Sequence, residues 1–219
     1  MFDFVAARTN MVDSQIRPNG VTDARVIEAM QSVSREDFVS ENQRTVAYMD
    51  GDVALAAAGS KRSLIEPMAF AKMLQAAEIR PTDHVLEIGT ATGYGAKVLS
   101  GLAKYVVSID SDEPLVALAR SNLSDKVNVS LIEGPMGDGH PKAGPYDLIL
   151  ISGQVEVVPK ALFSQLSEGG RLIATVGTGG VGMCSLWVKS GETCTQRSLF
   201  NLSIATLPGF EIPNAGFAF

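Results

Sequence analysis

With 219 residues, of which 46% are hydrophobic and 19% charged, the chain is long enough to bury one substantial core. Its formal net charge of −6 leaves no global positive field to gather phosphates, which argues against a general nucleic-acid binder. Cys184 and Cys194 are too few for a disulfide scaffold and suit a reducing cytosol. Asp3, Arg8 and Asp13 interrupt the apolar stretch a signal peptide needs, and no apolar run approaches a membrane span, so the sequence predicts a cytoplasmic protein with no membrane partner.

From Phe2 to about Val39 the pattern is helical, broken at Asn19-Gly20. Asp23 is placed to cap a short amphipathic helix carrying Val26, Ile27 and Met30. The small, irregular residues from Asp50 to Pro67 read as a loop leading into a helix over about Met68 to Ala77, with Pro67 suited to its first turn. Beyond Pro81 the texture changes. Apolar strand-like runs at His84–Ile88, Tyr105–Asp110, Val127–Ile132, Tyr146–Ser152 and Arg171–Val176 alternate with helical stretches at Gly95–Ala103, Glu113–Leu123 and Pro159–Leu166. That alternation is the βαβ pattern of a parallel sheet. Leu148 to Ile151 are apolar at successive positions, as expected where helices cover both faces. Further strands around Met183–Val188 and Ser198–Ala205 are predicted to form an antiparallel edge. One domain is expected, with residues 1–80 as a helical extension and acceptor-site loop and residues 81–219 as the nucleotide-binding core.

A parallel sheet of this kind binds ligands beyond the carboxyl ends of its strands, so the loop after the first core strand, Gly89-Thr90-Ala91-Thr92-Gly93, is the candidate nucleotide site. A dinucleotide fingerprint needs glycine at Ala91 and glycine or alanine at Tyr94, which disfavours an NAD-dependent oxidoreductase. Glu87 is an acid ending an otherwise apolar strand, where an unpaired charge is costly and a cationic partner is expected. The methionine moiety of S-adenosylmethionine offers such a partner in its ammonium group. Asp110 ends the next strand at the spacing of an acid that accepts hydrogen bonds from ribose hydroxyls. The alternative for both acids is that they cap the helices that follow them.

Several segments together, MVDSQIRPNGVTDARVIEAMQSVSREDFV, VLEIGTATGYGAKVLSGLA, YVVSID, YDLILISG and VPKALFSQLSEGGRLIATVG, resemble the protein-L-isoaspartate O-methyltransferase family over nearly the whole chain. The resemblance implies a Rossmann-like class I α/β fold, with a mostly parallel seven-stranded sheet, helices on both faces and a helical N-terminal extension over the acceptor site. It also implies transfer of a methyl group from S-adenosylmethionine to the free carboxylate of isoaspartyl residues in damaged proteins. The expected cofactor-binding residues are Glu87, Gly89, Thr90, Ala91, Thr92 and Gly93 from the first unit, Asp110 and Ser111 from the second, and Gly134 and Pro135 after the third strand.

The chain departs from the family pattern at three places. Ile65 occupies the active-site serine position in Ser63-Leu64-Ile65-Glu66-Pro67, which leaves Ser63 as the retained hydroxyl and the candidate catalytic residue. Pro135, in Gly134-Pro135-Met136, takes the place of the acid near the adenine amino group, for which Glu133 and Asp138 are the nearest substitutes. Ala91 replaces the middle glycine of the nucleotide loop.

Lys61, Arg62 and Ile65 are the candidate acceptor-binding residues. Arg gives bidentate recognition of a carboxylate, and the alternative for the two cations is a solvated basic loop. His84 and His140 lack metal-ligand spacing, and Trp187 reads as packing. A silent or re-purposed S-adenosylmethionine-binding protein with another acceptor or partner is the competing functional reading.

Overall fold

The computed structural model describes residues 2–55 and 62–212. Helix α1 (Phe4–Met11) starts at Asp3, whose carboxylate accepts the Ala6 N–H at 2.9 Å. The chain continues through a π-helical turn at Val12–Ile16 and a 3-10 turn at Arg17–Asn19, stopped by Gly20 at φ +82°. Asp23 caps α2 (Ala24–Ser32) as the sequence predicts, accepting the Arg25 N–H at 2.8 Å, and Val26, Ile27 and Met30 face inward. Arg25 then donates to the carbonyls of Ile79 and Leu102 at 2.8 and 2.6 Å, which fastens the extension to the core.

The segment expected to be plain loop contains two short strands, β1 (Val53–Ala54) and β2 (Ser63–Leu64), paired antiparallel. Helix α3 (Pro67–Ala76) follows, with Pro67 in its first turn. The alternating region forms β3 (His84–Ile88), α4 (Tyr94–Ser100), β4 (Tyr105–Asp110), α5 (Glu113–Asn122), β5 (Val129–Glu133), β6 (Tyr146–Val155), α6 (Lys160–Ser164) and β7 (Leu166–Val176). The chain ends in β8 (Gly182–Ser190) and β9 (Thr193–Leu202). Strand β9 begins and ends earlier than the apolar pattern suggests, because Gly191 at φ +58° closes a tight hairpin and the residues after Leu202 leave the edge.

These strands form one seven-stranded sheet in the order β5-β4-β3-β6-β7-β8-β9, parallel through β7 and antiparallel at β8 and β9. Successive residues of β3 feed opposite faces: Val85 packs into one buried cluster with Leu148 and Ile173, and Leu86 and Ile88 into another with Ile149 and Leu172. This is why the central strands read as continuous apolar runs. The chain order reverses between β3 and β6, so a crevice opens at the carboxyl ends of those two strands. No helix among the described residues is long and apolar enough to cross a membrane.

Candidate functional site

Three residues of the loop after β3 take backbone conformations with positive φ: Gly89 at +94°, Ala91 at +49° and Gly93 at +96°. Ala91 adopts the left-handed region that an L side chain disfavours by about 1 to 2 kcal/mol. What holds it there is a hydrogen bond from its N–H to Asp110 Oδ2 at 2.8 Å, with the Gly89 N–H on the Ile109 carbonyl at 2.8 Å. The loop is therefore braced against the end of β4.

Glu87 is fully buried. Its carboxylate accepts the hydroxyls of Ser108 at 2.5 Å and Ser152 at 3.0 Å, and Thr90 Oγ1 lies 2.6 Å from Ser108 Oγ. Burial, first of all, pushes the Glu87 carboxyl up to about 7, against the pull of the two serine hydroxyls and with the Asp110 charge adding to the rise. A Cβ at Gly95 would stand 1.9 Å from Glu87 Oε1, so the glycine on α4 is what lets the acid lie there. Neither acid caps a helix. Gly93 precedes α4 without a side-chain cap, and Asp112 caps α5 through the Leu115 N–H at 3.2 Å.

Arg62 is neither solvated nor turned to the outside. It is 4% exposed, and its Nη1 lies 2.7 Å from Asp110 Oδ1, so the carboxylate it clamps is the chain's own. Asp110 is thereby held by Arg62, Ala91 and the Asp112 N–H at 3.1 Å. Lys61 lies outside the described residues. Ser63, on β2, and buried Ile65 line two small cavities with Ser152, one shared with Glu87, Gly89 and Ala91 and the other with Asp52, Gly153 and Leu207. Ile65 is fixed from below by Arg35, a fully buried guanidinium that donates to the Leu64 and Ile65 carbonyls at 3.4 and 2.5 Å.

The remaining predicted residues spread around this centre. Thr92 turns away from the crevice, its hydroxyl donating to the Phe38 carbonyl of the N-terminal extension at 2.7 Å. Ser111 is exposed beside Asp110, and the Gly134 N–H donates to the Asp110 carbonyl at 3.0 Å, with Pro135 next to it at the surface. Glu133 faces Arg120 at 3.7 Å, while Asp138 is exposed and its main-chain carbonyl accepts from Gln165 at 2.8 Å. Ser108 and Ser152 are missing from the sequence prediction, although a serine inside an apolar strand beside an acid is a legible signal. Cys184 and Cys194 are free, and Trp187 packs edge-on against Phe163 at 5.9 Å.

The donor set matches the chemistry of a nucleoside that carries an ammonium group. Glu87 accepts only two neutral hydroxyls among the described residues and still lacks a hydrogen-bonded cation, and Asp110 stands at the end of the neighbouring strand. Leu207 and Arg62 stand against the turn between them. A Cβ at Gly89 would meet both methyls of Leu207 at 3.2 Å and Arg62 Nη2 at 3.4 Å, and the cavity bounded by Glu87, Gly89 and Ala91 is about 10 Å3.

The family model described as Protein-L-isoaspartate(D-aspartate) O-methyltransferase matches residues 7–205. The chain is 40% identical over 177 residues to the protein-L-isoaspartate O-methyltransferase of Koribacter versatilis (strain Ellin345), covering 80% of this chain and 78% of the relative. The enzyme of that name from Methylorubrum populi is 36% identical over 206 residues, covering 92% and 95%. A solved protein-L-isoaspartate O-methyltransferase superimposes with a TM-score of 0.82 at 24% identity, over 92% of this chain and 66% of that one. A Plasmodium falciparum structure titled as a putative enzyme of the same kind in complex with S-adenosyl-L-homocysteine gives 0.76 at 17% identity, over 94% and 99%.

Proposed function

The chain belongs to the protein-L-isoaspartate(D-aspartate) O-methyltransferase family and is an S-adenosylmethionine-dependent methyltransferase, and we propose that its acceptor is the free carboxylate of isoaspartyl residues in cytoplasmic proteins. The observation that carries the cofactor assignment is the pair of fully buried acids, Glu87 and Asp110, ending adjacent strands on either side of a positive-φ turn. S-adenosylmethionine supplies an electrophilic methyl group on sulfur. Glu87 is assigned to the ammonium end, Asp110 to the ribose hydroxyls and the turn at Gly89 to the close approach between them. Gly134, whose N–H donates to the Asp110 carbonyl, is assigned to the edge of the base.

An acceptor carboxylate is already ionised at neutral pH, so the protein needs no general base and its contribution is alignment. Ser63 and Ser152 are the hydroxyls that line both small cavities, and they are assigned to orienting the acceptor. Ile65 gives the pocket an apolar wall where the family resemblance places a serine. The test is transfer of labelled methyl to an isoaspartyl peptide beside a matched aspartyl peptide. Labelling confined to the isoaspartyl peptide is expected; absence of labelling there would remove the acceptor assignment.

A further inference from the structure

After β9 the chain does not run off the sheet edge. Residues Ser203 to Ile212 return across the carboxyl end of β6, where the Gln154 N–H donates to the Ala205 carbonyl at 2.9 Å and the Leu207 N–H to the Gln154 carbonyl at 2.8 Å. Leu207 and Phe210 are 3% and 2% exposed and belong to the buried cluster under Ile88 and Ile151. Leu207 presses on Gly153 so closely that a Cβ there would lie 2.5 Å from Leu207 Cγ, and its methyls cover Gly89. From the opposite side Arg62 reaches over Gly89 to Asp110. Asp52 joins the two sides, because Oδ1 accepts the Glu66 N–H at 2.8 Å, just beyond β2, and Oδ2 accepts the Ala205 N–H at 2.6 Å.

The cavity beside Glu87, Gly89 and Ala91 and the neighbouring one that Arg62 and Leu207 line are each about 10 Å3, room for about one water, against the several hundred Å3 of a typical ligand pocket. We propose that Arg62 and Leu207 form an intramolecular gate over the cofactor crevice: the Arg62 guanidinium competes with the cofactor's ribose for Asp110, Leu207 takes the space in front of Gly89, and cofactor enters only when both withdraw. The inference rests on the cofactor assignment above. Charge balance agrees with it. The crevice buries two acids, Glu87 and Asp110, and Arg62 supplies a cation from within the chain. Once a ligand brings its own cation to Glu87 and hydroxyls to Asp110, Arg62 has lost its place.

The gate makes a prediction that a purely structural ion pair does not. When only a fraction of molecules is open, the apparent affinity falls by that fraction, so removing the gate tightens binding even as it costs stability. The experiment measures S-adenosylhomocysteine affinity by calorimetry, and thermal unfolding in parallel, for the unaltered protein, Arg62→Gln, Leu207→Ala and the double variant. Arg62→Gln is expected to unfold at lower temperature and to bind about tenfold or more tighter, with faster association, and Leu207→Ala to bind tighter independently. Variants that fold but bind as weakly as the unaltered protein, or more weakly, overturn the gate and leave the cofactor assignment standing. Absence of binding in all four proteins overturns both. Leu207→Ala leaves the charges of the crevice intact, so it keeps the test decisive if Arg62→Gln does not fold.

Discussion

Glu87 couples folding to proton binding and, on the proposed assignment, to ligand binding. Its carboxyl holds a proton more tightly in the folded chain, at about 7, than in the unfolded chain, whose ordinary value is 4.5. This contribution to stability is therefore fully present below the ordinary carboxylate range and is lost as pH rises through about 7, on the order of 3 kcal/mol in all. Glu87→Gln removes the titration. At pH 8 it is expected to raise the melting temperature above that of the unaltered protein while weakening S-adenosylhomocysteine binding by about a hundredfold, as loss of a buried charge partner does. Scanning calorimetry and a binding titration on the same sample check both halves. Ala91→Gly, which relieves the φ of +49°, is expected to stabilise the fold by about 1 kcal/mol in denaturant unfolding.

The two acids and the glycines of the loop were legible in the sequence because an acid closing an apolar strand has few structural uses. The role of Arg62 was not. A cation beside a polar loop is solvated in most proteins, and only the fold places it 2.7 Å from an acid 48 positions further along the chain.

At the scale of elements, the order of strands and helices from β3 to β8 follows directly from periodicity, since continuous apolar runs mark strands covered on both sides. The pairing of β1 with β2 is invisible to periodicity because each strand has only two residues. The path after Leu202 is hidden for a different reason. Ile204, Leu207 and Phe210 continue an apolar spacing, but Ile204 is buried in one cluster and Leu207 and Phe210 in the other, so the same pattern serves two faces. Asp52→Ala is expected to raise hydrogen exchange at the amides of Glu66 and Ala205, which lose their acceptor, while β3 and β4 keep their protection. In the proposed acceptor region Ile65→Ser places a hydroxyl on the wall shared by both small cavities, and about a tenfold gain in kcat/KM on the isoaspartyl peptide is expected, the worth of one hydrogen bond.

For the molecule as a whole, sheet order places the crevice between β3 and β6, and a second buried ion pair secures the opposite end of the same strands. Arg171 pairs with Asp83 and donates to the Ala77 carbonyl at 2.8 Å, joining β7 to the chain entering β3. Breaking one side of a buried pair costs about 3 to 5 kcal/mol, so Asp83→Ala is expected to lower Tm by about 10 °C in a chain of this size. Its S-adenosylhomocysteine affinity at 20 °C should stay unchanged, because the pair lies away from the crevice.

On the proposed assignment, ligand binding at Glu87 exchanges a proton for an ammonium group, and that exchange is measurable without any assay of activity. The most direct test is calorimetric titration with S-adenosylhomocysteine at about pH 6, where a group of this acidity is mostly protonated, in two buffers of different ionisation enthalpy. The account predicts one binding site and the release of close to one proton on binding. Binding with no proton release, or no binding at all, would contradict it.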